Sequence, residues 1–287
     1  MRILITGSNG QLGSEFKKLA NYYKEFDFFF TDYDTLNICD ALRVKTFLKE
    51  NEIETIINCA AYTQVDLAEN DRDKAFEVNS KAVANLVANA KALKIKIIHI
   101  STDYVFDGIS HMPYKETDIT NPIGVYGKSK LEGEDFLVNA DINGIVIRTS
   151  WLYSQFGGNF VKTMMRLGTQ KDIIGVVSDQ IGSPTNAKDL ALVCLDILAK
   201  NKILNSKGKI YHYSNKGVAS WYDFAKSIME FANIECKVDA VESKDYPTKA
   251  KRPHYSIFNK SKITEDFNIT IPYWRDSLKD CIKKINK

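Results

Sequence analysis

The sequence lacks the features that mark secreted, zinc-binding and membrane-spanning proteins. Its five cysteines are odd in number, none of them form a CxxC pair, and its four histidines are dispersed. We therefore expect neither a disulfide framework nor a zinc site. No apolar run approaches the roughly 18 residues that a membrane span needs, and no signal-peptide pattern precedes the apolar run RILIT at residues 2–6. These absences favour a cytoplasmic protein without a membrane partner.

The chain also lacks an excess of charge of one sign. Its 39 basic and 36 acidic residues give a net charge of +3 and are interspersed. The basic concentrations, such as KAKR at 249–252, are short and typical of solvated surface. We therefore expect no nucleic-acid partner.

Short β-rich runs alternate with longer helical patterns in the first half of the chain. Strands are predicted at 2–6, 26–32, 55–61, 96–101 and 144–150, and helices at 11–23, 41–51, 73–93 and 124–139. This alternation predicts an α/β fold with a Rossmann-type doubly wound parallel sheet. Residues 1–150 would form a dinucleotide-binding domain, and ligands of such sheets bind beyond the carboxyl ends of the strands.

After residue 150 the alternation of strands and helices becomes less regular. Helical patterns occur near 157–169, 187–200, 220–233 and 274–285, with short strands near 173–177, 209–214 and 236–241. No linker or repeat separates the halves. We interpret residues 151–287 as mainly a smaller α/β substrate-binding lobe, with a soft boundary and with the two lobes interleaved.

Three glycines follow the first predicted strand. In TGSNGQLG, Gly7, Gly10 and Gly13 lie three apart where a helix begins. Glycine permits a tight turn and a close approach of the backbone to a pyrophosphate, which the N–H groups of the helix N-terminus can bind. The alternative is a glycine-rich turn without a ligand, but the position between a strand and a helix favours dinucleotide binding.

An acidic residue ends the second predicted strand. Asp32 lies 19 residues after Gly13, where a carboxylate accepts hydrogen bonds from the adenosine ribose and repels a 2′-phosphate. Taken alone, this modestly favours NADH over NADPH. Asp34 could take the role instead, or Asp32 could be a turn residue.

Two further stretches place polar side chains near the carboxyl edge of the predicted sheet. In STDYVFDG, Thr102 and Asp103 end the fourth predicted strand, where the alternative is a turn closed by the threonine hydroxyl. In VYGKSK, Tyr126 and Lys130 lie four apart on a predicted helix and share a face. On spacing alone, the tyrosine and lysine are equally typical of a polar helix surface.

Together these segments resemble the extended short-chain dehydrogenase/reductase family. The likeness extends from GSNGQLG through NCAAYTQVDLAE (58–69), ISTDYVFDG (100–108), NPIGVYGKSKLEGE (121–134), RTSWLY (148–153), NFVKTMMRL (159–167), DQIGSPT (179–185) and RPHYSIFN (252–259). It covers nearly the whole chain. Within the family it points to reductases of dTDP-linked keto-sugars in nucleotide-sugar and cell-surface polysaccharide biosynthesis.

The resemblance implies roles for particular residues. Tyr126 would donate a proton, Lys130 would lower the pKa of Tyr126 and lie by the nicotinamide ribose, and Thr102 would polarise the substrate carbonyl. The substrate-binding residues would be Thr102, Asp103, Tyr104 and Trp151.

The same resemblance implies a nicotinamide cofactor, NADPH or NADH. The residues expected to contact the cofactor are Gly7, Gly10, Gln11, Leu12, Gly13, Asp32, Asn37, Ile38, Ala61, Tyr62, Thr63, Tyr126 and Lys130. Asn37 and Ile38 would lie near the adenine, although the family often has aspartate where Asn37 stands.

Some members of the family form dimers that hold Mg²⁺ on interface glutamates. Glu15 matches one such ligand, a second would fall near Asp189, and the C-terminal ligand has no clear counterpart. An equal alternative for Glu15 is a solvated residue in the first turn of a helix. A monomer or a homodimer is therefore expected, with no assured metal.

Other activities share this fold and the tyrosine–lysine pair. Dehydratases of the family have a glutamate where this chain has Tyr104, and a neutral phenol is a poor base for a carbon-bound proton. Elimination is thus disfavoured. An epimerase, another nucleotide-sugar oxidoreductase, or a cofactor-binding regulatory subunit like that of methionine adenosyltransferase remain as alternatives.

Overall fold

The computed structural model describes residues 1–200 and 206–286. Its strands are β1 (Arg2–Thr6), β2 (Asp27–Phe30), β3 (Thr55–Asn58), β4 (Lys96–Thr102), β5 (Gly144–Thr149), β6 (Leu152–Tyr153), β7 (Ile173–Val177), β8 (Ile181–Gly182), β9 (Thr185–Asn186), β10 (Lys209–His212), β11 (Ala219–Ser220) and β12 (Lys237–Val241). Its α-helices are α1 (Gln11–Leu19), α2 (Ala41–Glu50), α3 (Val65–Ala68), α4 (Arg72–Phe76), α5 (Ala82–Leu93), α6 (Val125–Val138), α7 (Phe160–Gln170), α8 (Ala187–Ala199), α9 (Trp221–Ala232), α10 (Ser261–Phe267) and α11 (Trp274–Ile285).

Six strands form one parallel sheet in the order β10-β5-β4-β3-β1-β2. The chain goes from β1 outward to β2 and then returns to the other side of β1 with β3. The connections therefore diverge between β1 and β3, and a crevice forms at the carboxyl ends of these two strands. The predicted doubly wound parallel sheet is confirmed.

Both faces of the sheet are covered by helices. Along β1, Ile3 and Ile5 belong to the core that contains residues of α1 and α8, whereas Leu4 belongs to the core that contains residues of α2 and α5. All three side chains are fully buried. This explains why the centre of β1 is apolar at three consecutive positions, since a strand segment with no solvated face has no position for a polar side chain.

The second half of the chain contributes to the main sheet and its helices and also forms a smaller lobe. Helix α8 packs on α1, and β10 extends the main sheet next to β5. The rest forms a smaller lobe, in which α7, α9 and α11 pack together and β7 pairs with β12. Its core includes Tyr153, Phe224 and Trp274. Within residues 1–200 and 206–286, no helix is long and apolar enough to cross a membrane.

The helix predicted over 73–93 is interrupted. Helix α4 ends at Phe76, residues Glu77–Lys81 form a π-helical turn, and α5 begins at Ala82. The buried side chain of Asn79, within this turn, donates to Ser129 on α6 and exchanges hydrogen bonds with the backbone of Tyr62. The wider turn therefore joins α6 to the segment that follows β3, and such turns are frequent at functional sites.

Candidate active site

A cleft of about 740 Å³ opens at the carboxyl edge of the sheet, above the β1/β3 crevice. The predicted site residues that line it are Gly7, Gly10, Gln11, Leu12, Gly13, Asp32, Asn37, Ile38, Ala61, Thr63, Thr102, Asp103, Tyr104, Tyr126, Lys130 and Trp151. Tyr62 is not among the lining residues, and its hydroxyl lies 3.4 Å from Asp71. One cleft thus gathers residues that are separated by more than a hundred positions in the chain.

The glycine loop after β1 has the backbone that a pyrophosphate requires. Gly7 has a φ of +61°, and a Cβ at Gly13 would lie 2.5 Å from the carbonyl oxygen of Gly7. Helix α1 begins after Gly10, which offers no side-chain oxygen to the first N–H groups of the helix. The buried Oε1 atom of Gln11 also has no partner within the protein. The loop therefore fits the phosphates of a dinucleotide cofactor, which the free N–H groups of residues 11–13 would hold.

Asp32 holds the glycine loop to the end of β2. Its Oδ2 accepts the N–H of Asn9 at 2.8 Å, and its Oδ1 accepts the N–H of Tyr33 at 2.8 Å. The carboxylate is partly exposed and lines the cleft. Asp32 is thus a turn residue whose carboxylate also reaches the cleft, and its contact with an adenosine ribose stays a prediction.

We expect the Asp32→Ala variant to lose discrimination against NADPH, because a carboxylate near a 2′-phosphate repels it. The ratio of kcat/KM with NADH to kcat/KM with NADPH should fall about tenfold, a typical effect of one charge at a partly exposed site. Loosening the glycine loop would lower kcat/KM with both cofactors, and the ratio cancels this common loss. Asp34→Ala is the matched control, since Asp34 is exposed and does not line the cleft. An unchanged ratio in Asp32→Ala would refute the ribose assignment.

Helix α6 brings Tyr126 and Lys130 into the cleft by lying close to the segment after β4. A Cβ at Gly127 would lie 2.2 Å from the carbonyl oxygen of Tyr104, so glycine permits this close packing. Lys130 is 2% exposed, and its Nζ donates to the carbonyl oxygen of Ile100 at 2.7 Å. Tyr126 is only partly buried and lines the cleft. The spacing of four residues therefore places both side chains at the cleft rather than on a solvated helix surface.

The protonation of this pair differs from the prediction. Burial raises the pKa of Tyr126, and Thr102 opposes the shift while Asp103 adds to it. Burial lowers the pKa of Lys130 to about 8, against the effect of Glu134. The prediction was that the charge of Lys130 lowers the pKa of Tyr126, but in this structure that pKa is raised, and Lys130 is not among the groups that shift it. Desolvation dominates both groups, and a spacing in sequence does not reveal it.

The segment after β4 combines a turn with a polar wall. Thr102 Oγ1 accepts the N–H of Tyr104 at 3.3 Å, which is the turn expected from its position, and donates to Asp103 Oδ1 at 3.1 Å. The ring of Tyr104 meets that of Tyr126 edge-on, with centroids 5.5 Å apart. Burial raises the pKa of Tyr104 to about 12. Tyr104 is thus a neutral phenol beside the predicted proton donor.

Asp103 is expected to destabilise the folded protein at neutral pH. It is 3% exposed, and burial raises the pKa of its carboxyl group to about 6. The folded state therefore keeps a proton that the unfolded chain releases between about pH 4 and pH 6, so stability falls as pH rises through that window. We expect Asp103→Asn to be more stable than the parent by on the order of 2 kcal/mol above about pH 6, with no gain below about pH 4.

Urea unfolding at the two pH values measures this difference. Asp107→Asn is a control of opposite sign: burial would raise the pKa of Asp107, but hydrogen bonds, first among them that from Tyr114, lower it. Its replacement should therefore destabilise at neutral pH. A loss of stability in Asp103→Asn at neutral pH would contradict the expectation.

Several residues of the cleft were not predicted from the sequence, among them one arginine and three aromatic residues. Arg252, Trp221, Phe160 and Phe224 all line the cleft. Arg252 donates to Asp66 at 2.6 Å and to the hydroxyl of Tyr104 at 3.2 Å. Among the described residues that line the cleft, only Arg252 and Lys130 are cationic. Arg252 lies in RPHYSIFN and Phe160 in NFVKTMMRL, two segments that carry the family resemblance, so a signal existed for both, whereas none marked Trp221 and Phe224.

Glu15 is buried within the chain and is not the solvated helix residue of the alternative interpretation. Its side chain is 2% exposed, and its carboxylate accepts hydrogen bonds from Ser154 at 2.6 Å and from Gln155 at 3.2 Å. Asp189 accepts a hydrogen bond from Asn215 at 2.7 Å. Both carboxylates are thus engaged within the chain. In the part of the chain that the structure describes, no group of three or more His, Cys, Asp or Glu side chains could hold a metal ion.

A doubly wound sheet with a glycine loop after β1 and a tyrosine–lysine pair facing the same cleft defines a nucleotide-binding protein of the short-chain dehydrogenase/reductase class. Within that class, the chain belongs to the family described as "RmlD substrate binding domain", whose model matches residues 1–287. The family resemblance predicted from the sequence is confirmed.

The similar proteins agree over the full length. A dTDP-4-dehydrorhamnose reductase from Aggregatibacter actinomycetemcomitans is 42% identical over 287 residues, covering 97% of each chain. The crystal structure of a dTDP-4-dehydrorhamnose reductase from Clostridium acetobutylicum is 40% identical, with a TM-score of 0.93 and full coverage of both chains. That of the Bacillus anthracis enzyme, in complex with NADP, is 38% identical, with a TM-score of 0.92 over 99% of both chains.

Proposed function

We propose that this protein is a dTDP-4-dehydrorhamnose reductase, which reduces the C4 keto group of dTDP-4-dehydro-L-rhamnose to the alcohol of dTDP-L-rhamnose. The observation that carries the proposal is the meeting of Thr102, Tyr126 and Lys130 in the cleft that also contains the glycine loop. The names of the full-length relatives support the substrate, and the NADP complex of one of them supports the cofactor. When bound, NADPH or NADH would supply the hydride that adds to the carbonyl carbon.

In this proposal, Tyr126 supplies the proton that completes the reaction. As the carbonyl carbon gains a hydride, its oxygen becomes an alkoxide and takes the phenolic proton. Burial raises the pKa of Tyr126, so the side chain is a neutral phenol at working pH and holds the proton that an acid needs. Thr102 neighbours Tyr126 and would hydrogen-bond the same oxygen. Lys130, anchored on Ile100, would bind the nicotinamide ribose and supply positive charge near the alkoxide.

Arg252 supports a substrate that carries a diphosphate. It lies beside Tyr104, at the catalytic end of the cleft, whereas the glycine loop serves the cofactor. A guanidinium group matches phosphate oxygens in a bidentate geometry. The protonated Tyr104, with a pKa raised by burial to about 12, is also unsuited to remove a carbon-bound proton, and this favours reduction over elimination of water.

The proposal includes a cytoplasmic location and a monomer or homodimer. All five cysteines are free, which fits a reducing compartment. The cytoplasm also supplies the reduced nicotinamide cofactor.

The proposed function is tested by mixing purified protein with dTDP-4-dehydro-L-rhamnose and NADPH or NADH and following the absorbance of the reduced cofactor. We expect stoichiometric oxidation of the cofactor and formation of dTDP-L-rhamnose. An epimerase would convert the sugar without net consumption of cofactor, and a regulatory subunit would bind the cofactor without turnover. Either result would refute the proposed function.

A further inference from the structure

Trp151 has a backbone conformation that bulky residues rarely adopt. Its φ is +49°, in the left-handed region that disfavours a large side chain. Its carbonyl oxygen accepts the N–H of Thr185 at 3.2 Å, and the residue after it begins β6, which pairs with β9. Such a conformation persists only where the surroundings fix it, and it is found preferentially at functional sites.

The indole of Trp151 is stacked on that of Trp221. The two ring centroids are 3.7 Å apart and the planes differ by 11°. Trp221 also packs against the ring of Phe160, at 4.6 Å and 54°, and against that of Phe224, at 6.2 Å and 40°. Trp221 therefore lies between Trp151 and the second lobe, and both tryptophans are partly exposed and line the cleft.

The segment that carries Trp221 is fixed at two points. Ser220 accepts the N–H of Asp223 at 3.0 Å, and Asp223 accepts the N–H of Ser220 at 2.9 Å, so that α9 begins with a reciprocal cap. Strand β11 pairs with β8, placing Ala219 opposite Gly182.

Gly182 in that β-ribbon leaves room for the Trp151 indole. A Cβ there would lie 2.5 Å from the Cε2 atom of Trp151. The β8–β11 ribbon thus leaves the space beside Trp151, and helix α9, which follows β11 directly, supplies the ring that stacks on Trp151.

We propose that Trp221 is a positioning residue for substrate binding: it holds the indole of Trp151 in place as a preformed wall for the sugar end of a nucleotide-linked sugar. The identity of that ligand rests on the proposed function. Because Trp221 acts through Trp151 and not on the glycine loop, its loss should weaken binding of the sugar nucleotide and leave cofactor binding unchanged. A smaller aromatic ring at position 221, in the plane that the Trp221 indole occupies, should preserve part of this effect on binding of the sugar nucleotide.

The test compares Trp221→Ala, Trp221→Phe and the control Trp274→Phe. Trp274 is 3% exposed and does not line the cleft. We expect Trp221→Ala to raise KM for the sugar nucleotide about tenfold, as expected for a lost preorganising contact. KM for NADPH should stay within about twofold, and Trp221→Phe should restore most of the loss.

Far-ultraviolet circular dichroism reports the stack directly, because the strong indole transitions that couple to each other absorb in that range. Two indoles at van der Waals separation give an exciton couplet, which should be present in the parent and in Trp274→Phe. It should be absent from both Trp221 variants and from Trp151→Phe. A couplet that survives in Trp221→Phe would show that Trp221 is not the partner of Trp151 in solution.

Three outcomes would overturn the positioning role. The first is a sugar-nucleotide KM in Trp221→Ala within about twofold of the parent. The second is an equal rise of KM for NADPH, and the third is no recovery in Trp221→Phe. If the parent binds the sugar nucleotide without turnover, the proposed function fails, and the positioning role is judged on Kd from titration calorimetry. If the parent binds no sugar nucleotide, both are wrong.

Discussion

Replacing Tyr126 by phenylalanine is expected to lower kcat by about a hundredfold to ten-thousandfold, the usual contribution of a positioned proton donor. The phenyl ring keeps the edge-on contact with Tyr104, so the cleft should retain its shape. The affinity for NADPH, measured by fluorescence titration, should change by no more than about threefold because only one hydroxyl is lost.

Tyr246→Phe is the matched control, since the side chain of Tyr246 is 56% exposed. It should behave like the parent in both measurements. Near-normal turnover of Tyr126→Phe would remove Tyr126 from its role. An equal loss of turnover and cofactor affinity would indicate that the change disturbed the cleft rather than the chemistry.

Gly13→Ala is expected to raise KM for the cofactor by about tenfold to a hundredfold, because the added methyl group overpacks a fixed loop. The new Cβ would lie 2.5 Å from the carbonyl oxygen of Gly7 and 2.5 Å from Cα of Ser8. Both obstacles are backbone atoms, so the loop itself must move. The N–H groups that would hold the pyrophosphate then lose their alignment.

Gly158→Ala separates this steric effect from the general effect of replacing glycine in the cleft. Gly158 also lines the cleft, but a Cβ there would meet nothing within 4 Å. Its variant should keep the parent KM for both substrates. Cofactor KM values that rise equally in the two variants, or in neither, would contradict the role assigned to the loop.

Local patterns were enough to predict the sheet layer and the cofactor half of the cleft. The apolar centre of β1 and the glycines that follow it are close together in sequence, so their spacing determines their geometry. The residues that end β4 likewise follow directly from the position of that strand. The π-helical turn at Glu77–Lys81 was not predicted, because it depends on contacts that Asn79 makes with distant segments.

The substrate half of the cleft was predicted less well. Trp221 and Arg252 are separated from the first lobe by many residues in sequence. Only tertiary packing places them beside Trp151 and Tyr104. The predicted influence of Lys130 on Tyr126 failed for a related reason. The pKa of each group depends on burial, which a helical spacing does not determine.

The most direct test of the account is the transfer of deuterium from NADPH that is labelled at the transferring position of its nicotinamide ring. The purified protein would be incubated with this cofactor and dTDP-4-dehydro-L-rhamnose, and the product would be analysed by NMR and mass spectrometry. The proposed reductase activity predicts dTDP-L-rhamnose with one deuterium at C4 for each cofactor oxidised. A product without deuterium at C4, or a sugar that is altered while the cofactor stays reduced, would contradict it.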